Sequence, residues 1–461
     1  MESLGVWMET VKEAPLFWGS LGLTTSIWLL DSLYLTGRER AACRRMSVPA
    51  PLAGRVSQED FDSAREYRYE SLSFSLLKSS SDFIVSTGLL IAGFMPFSWH
   101  LSGQVSEALG LPPATHPICH SIVFMTLTSL FDFVSDLPWR IYETFSLEAR
   151  HGFNKQTPAF FLKDQIKMLG VNLALVSLLL SAFLKVIEWA GDNFFFYLWL
   201  TATASSVVLV LVYHDFIAPL FDTYTELPHG DLRTAIEALA SSLKFPLTKL
   251  YLVHNSVRNS HSNAYFYGWG SNKRIVLFDT LLDAKLREQV TSETEGAVAE
   301  ADDQAKAGGC SIPQIVAVLA HELGHWQHGH VYKTFLLQQL YFCGIFYLFQ
   351  RLYGVDAIFE QFGFANERPT LIAMTIIFGY ILSPLNTIWS IVLTAFTRRA
   401  EFEADAFAVK LGQGEALCEG LIKLSADNKS YPVHDWLYSA VHHSHPPILQ
   451  RLAAIRSKKQ Q

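Results

Sequence analysis

Charge is what this sequence most lacks. Only 17% of its 461 residues are Asp, Glu, Lys or Arg, against about 25% in soluble domains. Basic residues are not in excess: 36 Lys and Arg face 43 Asp and Glu, a net charge of −7. That balance excludes a phosphate-coating surface and with it a nucleic-acid partner. Cysteine is scarce too. The five (Cys43, Cys119, Cys310, Cys343, Cys418) form no CxxC pair, which excludes a thiolate zinc site and argues against a disulfide framework. What the chain has in quantity is apolar surface: 50% of residues are hydrophobic and 33 are Phe. Its length would suggest about three soluble domains, but this composition points to an integral membrane protein. A mean hydropathy of only +0.20 requires a substantial aqueous part as well.

A membrane span needs about 20 mostly apolar residues. Seven stretches qualify: Leu16–Leu35, Phe83–Leu101, Ile118–Leu137, Met168–Ile187, Phe194–Tyr213, Phe335–Leu352 and Leu371–Phe396. The first carries Asp31 and the third Asp132 and Asp136, i and i+4 on one helix face. Acidic groups in spans need a partner or water, which predicts a hydrated cavity between helices. Charge placement gives an independent orientation. On the side before the first span and after the second, fourth and sixth lie only Lys12 and Arg368, with Lys185 and Arg351 in the last turns of the fourth and sixth; the other Lys and Arg lie opposite. This bias puts the N-terminus in the lumen and the C-terminus in the cytosol, as an odd span count requires. The first span does not read as a cleavable signal, since Glu2, Glu9 and Glu13 precede it and no A-x-A site follows.

The expected layout is therefore five spans within 1–213, an aqueous region 214–330, two further spans within 331–396, and an aqueous helical part 397–461. Residues 214–330 hold a helical pattern at Leu232–Leu243 and strand-like runs at Leu250–Val253 and Ile275–Phe278. Between the runs, N-A-Y-F-Y-G-W-G-S-N predicts another strand and a Gly/Asn turn, hence a hairpin. Gln289–Gly309 is acidic and rich in Ala and Gly, a composition that predicts disorder.

The chemistry concentrates at His321-Glu322-Leu323-Gly324-His325. On a helix the two imidazoles share a face, where they can hold one Zn²⁺ while Glu322 serves as general base. A third ligand is needed. His328 and His330 are rivals, but Glu401 in R-R-A-E-F-E-A-D is preferred, with Asp405 one turn on accepting a hydrogen bond from a ligating His. Glu403 points away from that face.

H-E-L-G-H-W, E-F-E-A-D-A-F-A and S-H-P-P-I-L-Q-R-L together resemble the type I CAAX prenyl proteases, integral-membrane zinc peptidases of the endoplasmic reticulum. R-H-G-F-N-K-Q-T (Arg150–Thr157), H-S-N-A-Y-F-Y-G (His261–Gly268) and K-R-I-V-L-F-D-T-L-L extend the likeness over nearly the whole chain. The resemblance implies a mainly α membrane protein. Seven transmembrane helices would form a barrel around a hydrated chamber, with a gluzincin-like α+β zinc peptidase domain. It also implies the reaction, removal of the last three residues from prenylated C-a-a-X proteins. Zn²⁺ would be held by His321, His325 and Glu401, with the lipid bilayer and the prenylated substrate as partners.

By the same resemblance His445, in S-H-P-P, would donate to the oxyanion, and Arg451 is placed to pair with a carboxylate of the site. Substrate would add to the strand at Asn263, Ala264 and Tyr265, with Asn263 holding a substrate carbonyl. The chain ends Lys458-Lys459-Gln460-Gln461, which resembles a cytosolic dilysine retrieval signal and agrees with the endoplasmic-reticulum and contiguous inner nuclear membranes. The rivals are a membrane quality-control zinc protease of broader specificity, disfavoured by seven spans, and an inactive receptor or channel, disfavoured by the intact H-E-x-x-H.

Overall fold

A computed structural model of the chain describes residue 7 and residues 11–254, 261–293 and 308–459. All seven apolar stretches are helical, but not all are straight. Helix α1 (Pro15–Trp28) continues through a wide turn, Leu29–Leu35, into α2 (Thr36–Ala42). The second expected span is broken: α3 (Gln58–Ile91) and α4 (Phe94–Ala108) meet at 70°. Gly93 makes the bend at φ +76, a left-handed conformation that favours glycine; a Cβ there would also lie 2.7 Å from the Trp7 ring. Three further helices follow, α5 (Pro117–Tyr142), α6 (Pro158–Ala190) and α7 (Phe194–Val212).

After the sheet region, α8 (Asp231–Ser242), α9 (Ala284–Glu293) and α10 (Ile312–Gln327) lead to the long helix α11 (His330–Tyr353) and the short α12 (Asp356–Glu360). The seventh stretch is also two pieces. Helix α13 (Thr370–Ile376), extended to Ile381, meets α14 (Ser383–Lys410) at 62°. Pro384 lies in the first turn of α14, where its missing N–H is tolerated but cannot continue the preceding helix. The chain ends in α15 (Gly414–Asp427), α16 (Trp436–His442) and α17 (Ile448–Lys459).

By length and apolarity, Pro117–Glu148 and Pro158–Leu220 suffice to cross a membrane, as do the two bent pairs when each is taken whole. The stretch Pro158–Leu220 is itself a packed hairpin of α6 and α7. Each apolar stretch packs on the next, and the last returns to α1, so the helices close into a ring. Large apolar residues such as Leu178, Val208, Leu336 and Ile388 are exposed, the surface that lipid would cover. Asp136 needs less water than its sequence suggested, because Lys78 of α3 lies 2.8 Å away and Arg140 follows one turn on.

The aqueous part carries a four-stranded sheet in the order β1-β2-β4-β3. Its strands are β1 (Tyr224–Glu226), β2 (Leu247–Val253), β3 (Ala264–Trp269) and β4 (Asn272–Phe278). The expected hairpin is β3–β4, turning at Gly270-Ser271, and it leaves β3 on an edge. Strand β1 is too short to show in the sequence pattern. One core joins the sheet to α8, α10, α15 and α17 through Ile236, Leu250, Ile275, Leu277, Leu319, Leu417 and Leu452. Residues 214–330 and 397–459 thus share one core although the sixth and seventh apolar stretches separate them in sequence. The disorder expected at Gln289–Gly309 is corrected at its start, since residues 289–293 extend α9; residues 294–307 lie outside the described residues.

Candidate metal centre and active site

Helix α10 begins with a capping box. Ser311 accepts from the backbone of Gln314, whose side chain accepts the Ser311 N–H at 3.0 Å; together they satisfy two otherwise orphaned donors. The helix then runs through the core with Ile315, Leu319 and Leu323 buried. His321 and His325 are therefore held toward α14. Gly324 allows that approach: a Cβ there would lie 3.0 Å from the Ala404 Cα and 3.2 Å from its carbonyl oxygen. The small pair lets the backbones close, bringing Glu401 and Asp405 against the two imidazoles.

The ligand atoms of His321, His325 and Glu401 all lie within 4.8 Å of one another. The two Nε2 atoms are 3.2 Å apart, and His325 Nε2 is 3.2 Å from Glu401 Oε1. Glu401 is buried, and its Oε2 has no directed hydrogen-bond partner, although His445 Nδ1 lies 3.0 Å away. A buried, unsatisfied carboxylate oxygen beside two imidazole nitrogens fits a divalent cation. Burial alone would raise the Glu401 carboxyl, but the imidazoles of His321, His325 and His445 hold it well below the usual range.

Asp405 lies behind His321, with Oδ1 2.9 Å from Nδ1. Arg451 grips the same carboxylate from α17, Nε to Oδ2 at 3.0 Å and Nη2 to Oδ1 at 2.7 Å. All three side chains are buried. Burial would raise the Asp405 carboxyl, yet its bonds to His321 and Arg451 hold it low. Glu322, half-buried on α10, has its carboxyl pushed up by desolvation. His445 keeps 72% of its side chain exposed, so its ring has solvent on one side and Glu401 on the other.

Neither sequence rival joins this cluster. His330 bonds instead to the back of His325, Nδ1 to Nδ1 at 3.0 Å, and to Glu403 Oε2 at 3.1 Å; His328 stacks on His330. Glu403 does point away from the centre, but through His330 it supports it. That role had no signal in the sequence beyond the His-rich end of α10. Asn263 is exposed and Tyr265 half-buried, while Ala264 is buried. Ala264 and Tyr265 open edge strand β3, which packs along α10, and Asn263 immediately precedes it. The Asn263 Oδ1 atom accepts the Ala264 N–H at 2.8 Å, so that carboxamide is already engaged.

Comparison with known proteins follows the same division of the chain. The family model described as "CAAX prenyl protease N-terminal, five membrane helices" matches residues 39–223, and that of peptidase family M48 matches residues 226–459. The CAAX prenyl protease 1 homologues of Mus musculus and Homo sapiens are each 41% identical to this chain, covering 99% of it and 100% and 99% of their own lengths. The homologue of Arabidopsis thaliana is 39% identical over 97% of both chains. The crystal structure of S. mikatae Ste24p superposes with a TM-score of 0.84 at 31% identity, covering 96% of this chain and 99% of that one. With both halves matched and relatives aligned end to end, the chain belongs to the CAAX prenyl protease 1 family, membrane-embedded peptidases of family M48.

Proposed function

We propose that the protein is a zinc endopeptidase that removes the last three residues from prenylated C-a-a-X proteins in the endoplasmic-reticulum membrane. The observation that carries the reading is the His321–His325–Glu401 cluster beside Glu322 and an open strand edge, in a chain whose relatives are named for that activity along its whole length. Two imidazoles and one carboxylate are the donor set of catalytic zinc, which when bound acidifies water and polarises a carbonyl.

The chain's own residues supply the rest. Glu322 takes the proton of the attacking water and later delivers it to the leaving amine; its raised carboxyl suits both steps. Asp405 fixes the His321 ring with Nε2 toward Glu401, and Arg451 holds Asp405 in turn. His445, free on its solvent side, donates to the substrate oxyanion, a contribution commonly of about 3 kcal/mol. Strand β3 takes the peptide as an added strand, and the ring of helices encloses the hydrated chamber through which it arrives. The charge bias along the chain supports a lumenal N-terminus and a cytosolic C-terminus.

Mass spectrometry of products from a farnesylated C-a-a-X peptide tests this reading. A single cut releasing the tripeptide is expected. Cuts spread over unprenylated unfolded polypeptides, with the farnesylated peptide untouched, would assign the broader quality-control activity instead.

A further inference from the structure

The outer edge of β3 is closed at both ends. Along an antiparallel strand, alternate residues bond the partner strand and the others face away. Phe278 donates its N–H to Asn263 O at 3.1 Å, so Asn263, and with it Tyr265 and Tyr267, bond β4. Ser262, Ala264 and Phe266 therefore turn their main-chain groups outward.

At Ser262 both outward groups are taken. Its N–H donates to Asn428 Oδ1 at 2.9 Å, and Asn428 Nδ2 donates to its carbonyl at 3.3 Å. The carboxamide does what one residue of an added strand would do. It is firmly held, because Asn428 ends α15 and the next residue, Lys429, has φ +45. From that left-handed position the Lys429 ammonium donates to His151 O at 2.8 Å and lies 5.6 Å over the Phe153 ring. Phe153 is buried and stacks on His261, centroids 4.3 Å apart at 18°. The R-H-G-F-N loop of the membrane part thus clamps the approach to β3 from one side, and Asn428 clamps it from the other.

At the far end, buried Lys273 donates its ammonium to Gly268 O at 2.6 Å. Between the two caps, the Ala264 N–H holds, among the described residues, only the neighbouring Asn263 side chain. Among the described residues, nothing outside the sheet bonds the Ala264 carbonyl or the Phe266 main chain.

We propose that Asn428 and Lys273 limit a bound peptide to pairing over Ala264–Phe266, and that Asn428 is the positioning residue that sets which peptide bond reaches Glu322. The inference rests on the reading of β3 as the substrate strand. A cap that served only to protect a bare edge would leave cleavage positions unmoved.

The test is product analysis with zinc-loaded, full-length enzyme and a farnesylated C-a-a-X peptide, together with a scan of single N-methylated backbone amides. In the wild type, N-methylation should impair cleavage only at the few positions facing Ala264 and Phe266. In Asn428→Ala the ratio of off-register to normal product should rise about fivefold, the worth of one net main-chain hydrogen bond, and one further N-methyl position should become sensitive. Asn428→Asp, which keeps the acceptor for Ser262 N–H, should fall between; Lys273→Met should spread products at the other end. Should Asn428→Ala not fold, the Asp variant and the wild-type scan still decide. Unchanged product ratios in the folded variants, or a wild-type scan sensitive along a long run of residues, overturn the proposal. A wild-type enzyme that does not cut the peptide at all removes the underlying functional reading, and this proposal with it.

Discussion

The Nδ1 atom of His330 lies 3.0 Å from the Nδ1 atom of His325. One of the two must carry the proton. His325 turns Nε2 toward Glu401, and a metal held there would need that nitrogen unprotonated, which would place the proton on its Nδ1. His330 would then accept at Nδ1 and donate from Nε2 to Glu403. A chain of three side chains would fix one tautomer.

His330→Ala should therefore lower zinc affinity or turnover about 10- to 100-fold without unfolding the protein. Competition for zinc against a chelator of known strength checks it. Wild-type affinity in a folded His330→Ala would remove the relay.

Glu322→Gln should keep its metal and its fold but lose turnover, since the ligand set survives without its base. Glu401→Ala should lose the metal as well. Metal content by plasma emission, set beside peptide turnover, separates the two; a Glu401→Ala variant that binds and cleaves normally would mean the third ligand is misassigned.

Gly324→Ala should act through backbone separation. The added methyl would sit 3.0 Å from the Ala404 Cα, which forces α10 and α14 apart by a few tenths of an ångström and moves Glu401 away from both imidazoles. Weaker zinc binding with thermal stability reduced by about 1–3 kcal/mol is expected. Gly324→Ser should be no milder.

Glu39 gives a pH prediction away from the metal. It is fully buried in the middle of α2 and accepts from Arg68 at 2.8 Å, from His434 Nδ1 at 2.6 Å and from the Asp435 N–H at 2.9 Å. Burial would raise its carboxyl, but these partners bring it from 4.5 down to about 2. A folded value below the unfolded one stabilises the protein fully above 4.5, and that stability is lost as pH falls toward 2. The contribution is on the order of 3 kcal/mol. Thermal melts should drop steeply below about pH 4.5 in the wild type, whereas Glu39→Gln should start lower and vary less. Parallel curves would exclude Glu39 as the source.

The farnesyl chain should act through affinity and positioning, at about 0.8 kcal/mol per buried CH₂-sized group. An unprenylated peptide is expected to be cut with lower kcat/KM and at less defined positions. Equal efficiency at identical sites would dissociate the lipid from recognition.

Much of this was legible in the residues because the signals are local. Apolar runs of span length, the i, i+4 spacing of His321 with His325 and of Glu401 with Asp405, and the alternation and turn chemistry around Ala264–Phe278 each fix a short piece of backbone or one helix face. The membrane character, the hairpin and the candidate ligands follow from them. The bends at Gly93 and Leu382 were not read, because a hydropathy window averages across a break that one glycine or proline makes. Lys78 beside Asp136, His330 behind His325, Glu39 beneath His434 and Asn428 on Ser262 join residues 58, 5, 395 and 166 positions apart. The His pair is close in sequence, yet its contact depends on the turn at Gly329, φ +64, and the others on helices brought together by the ring and the shared core. A sequence specifies which groups are available along each element; which of them meet is decided when the apolar faces pack, because only that burial fixes the separation and rotation of one helix against another.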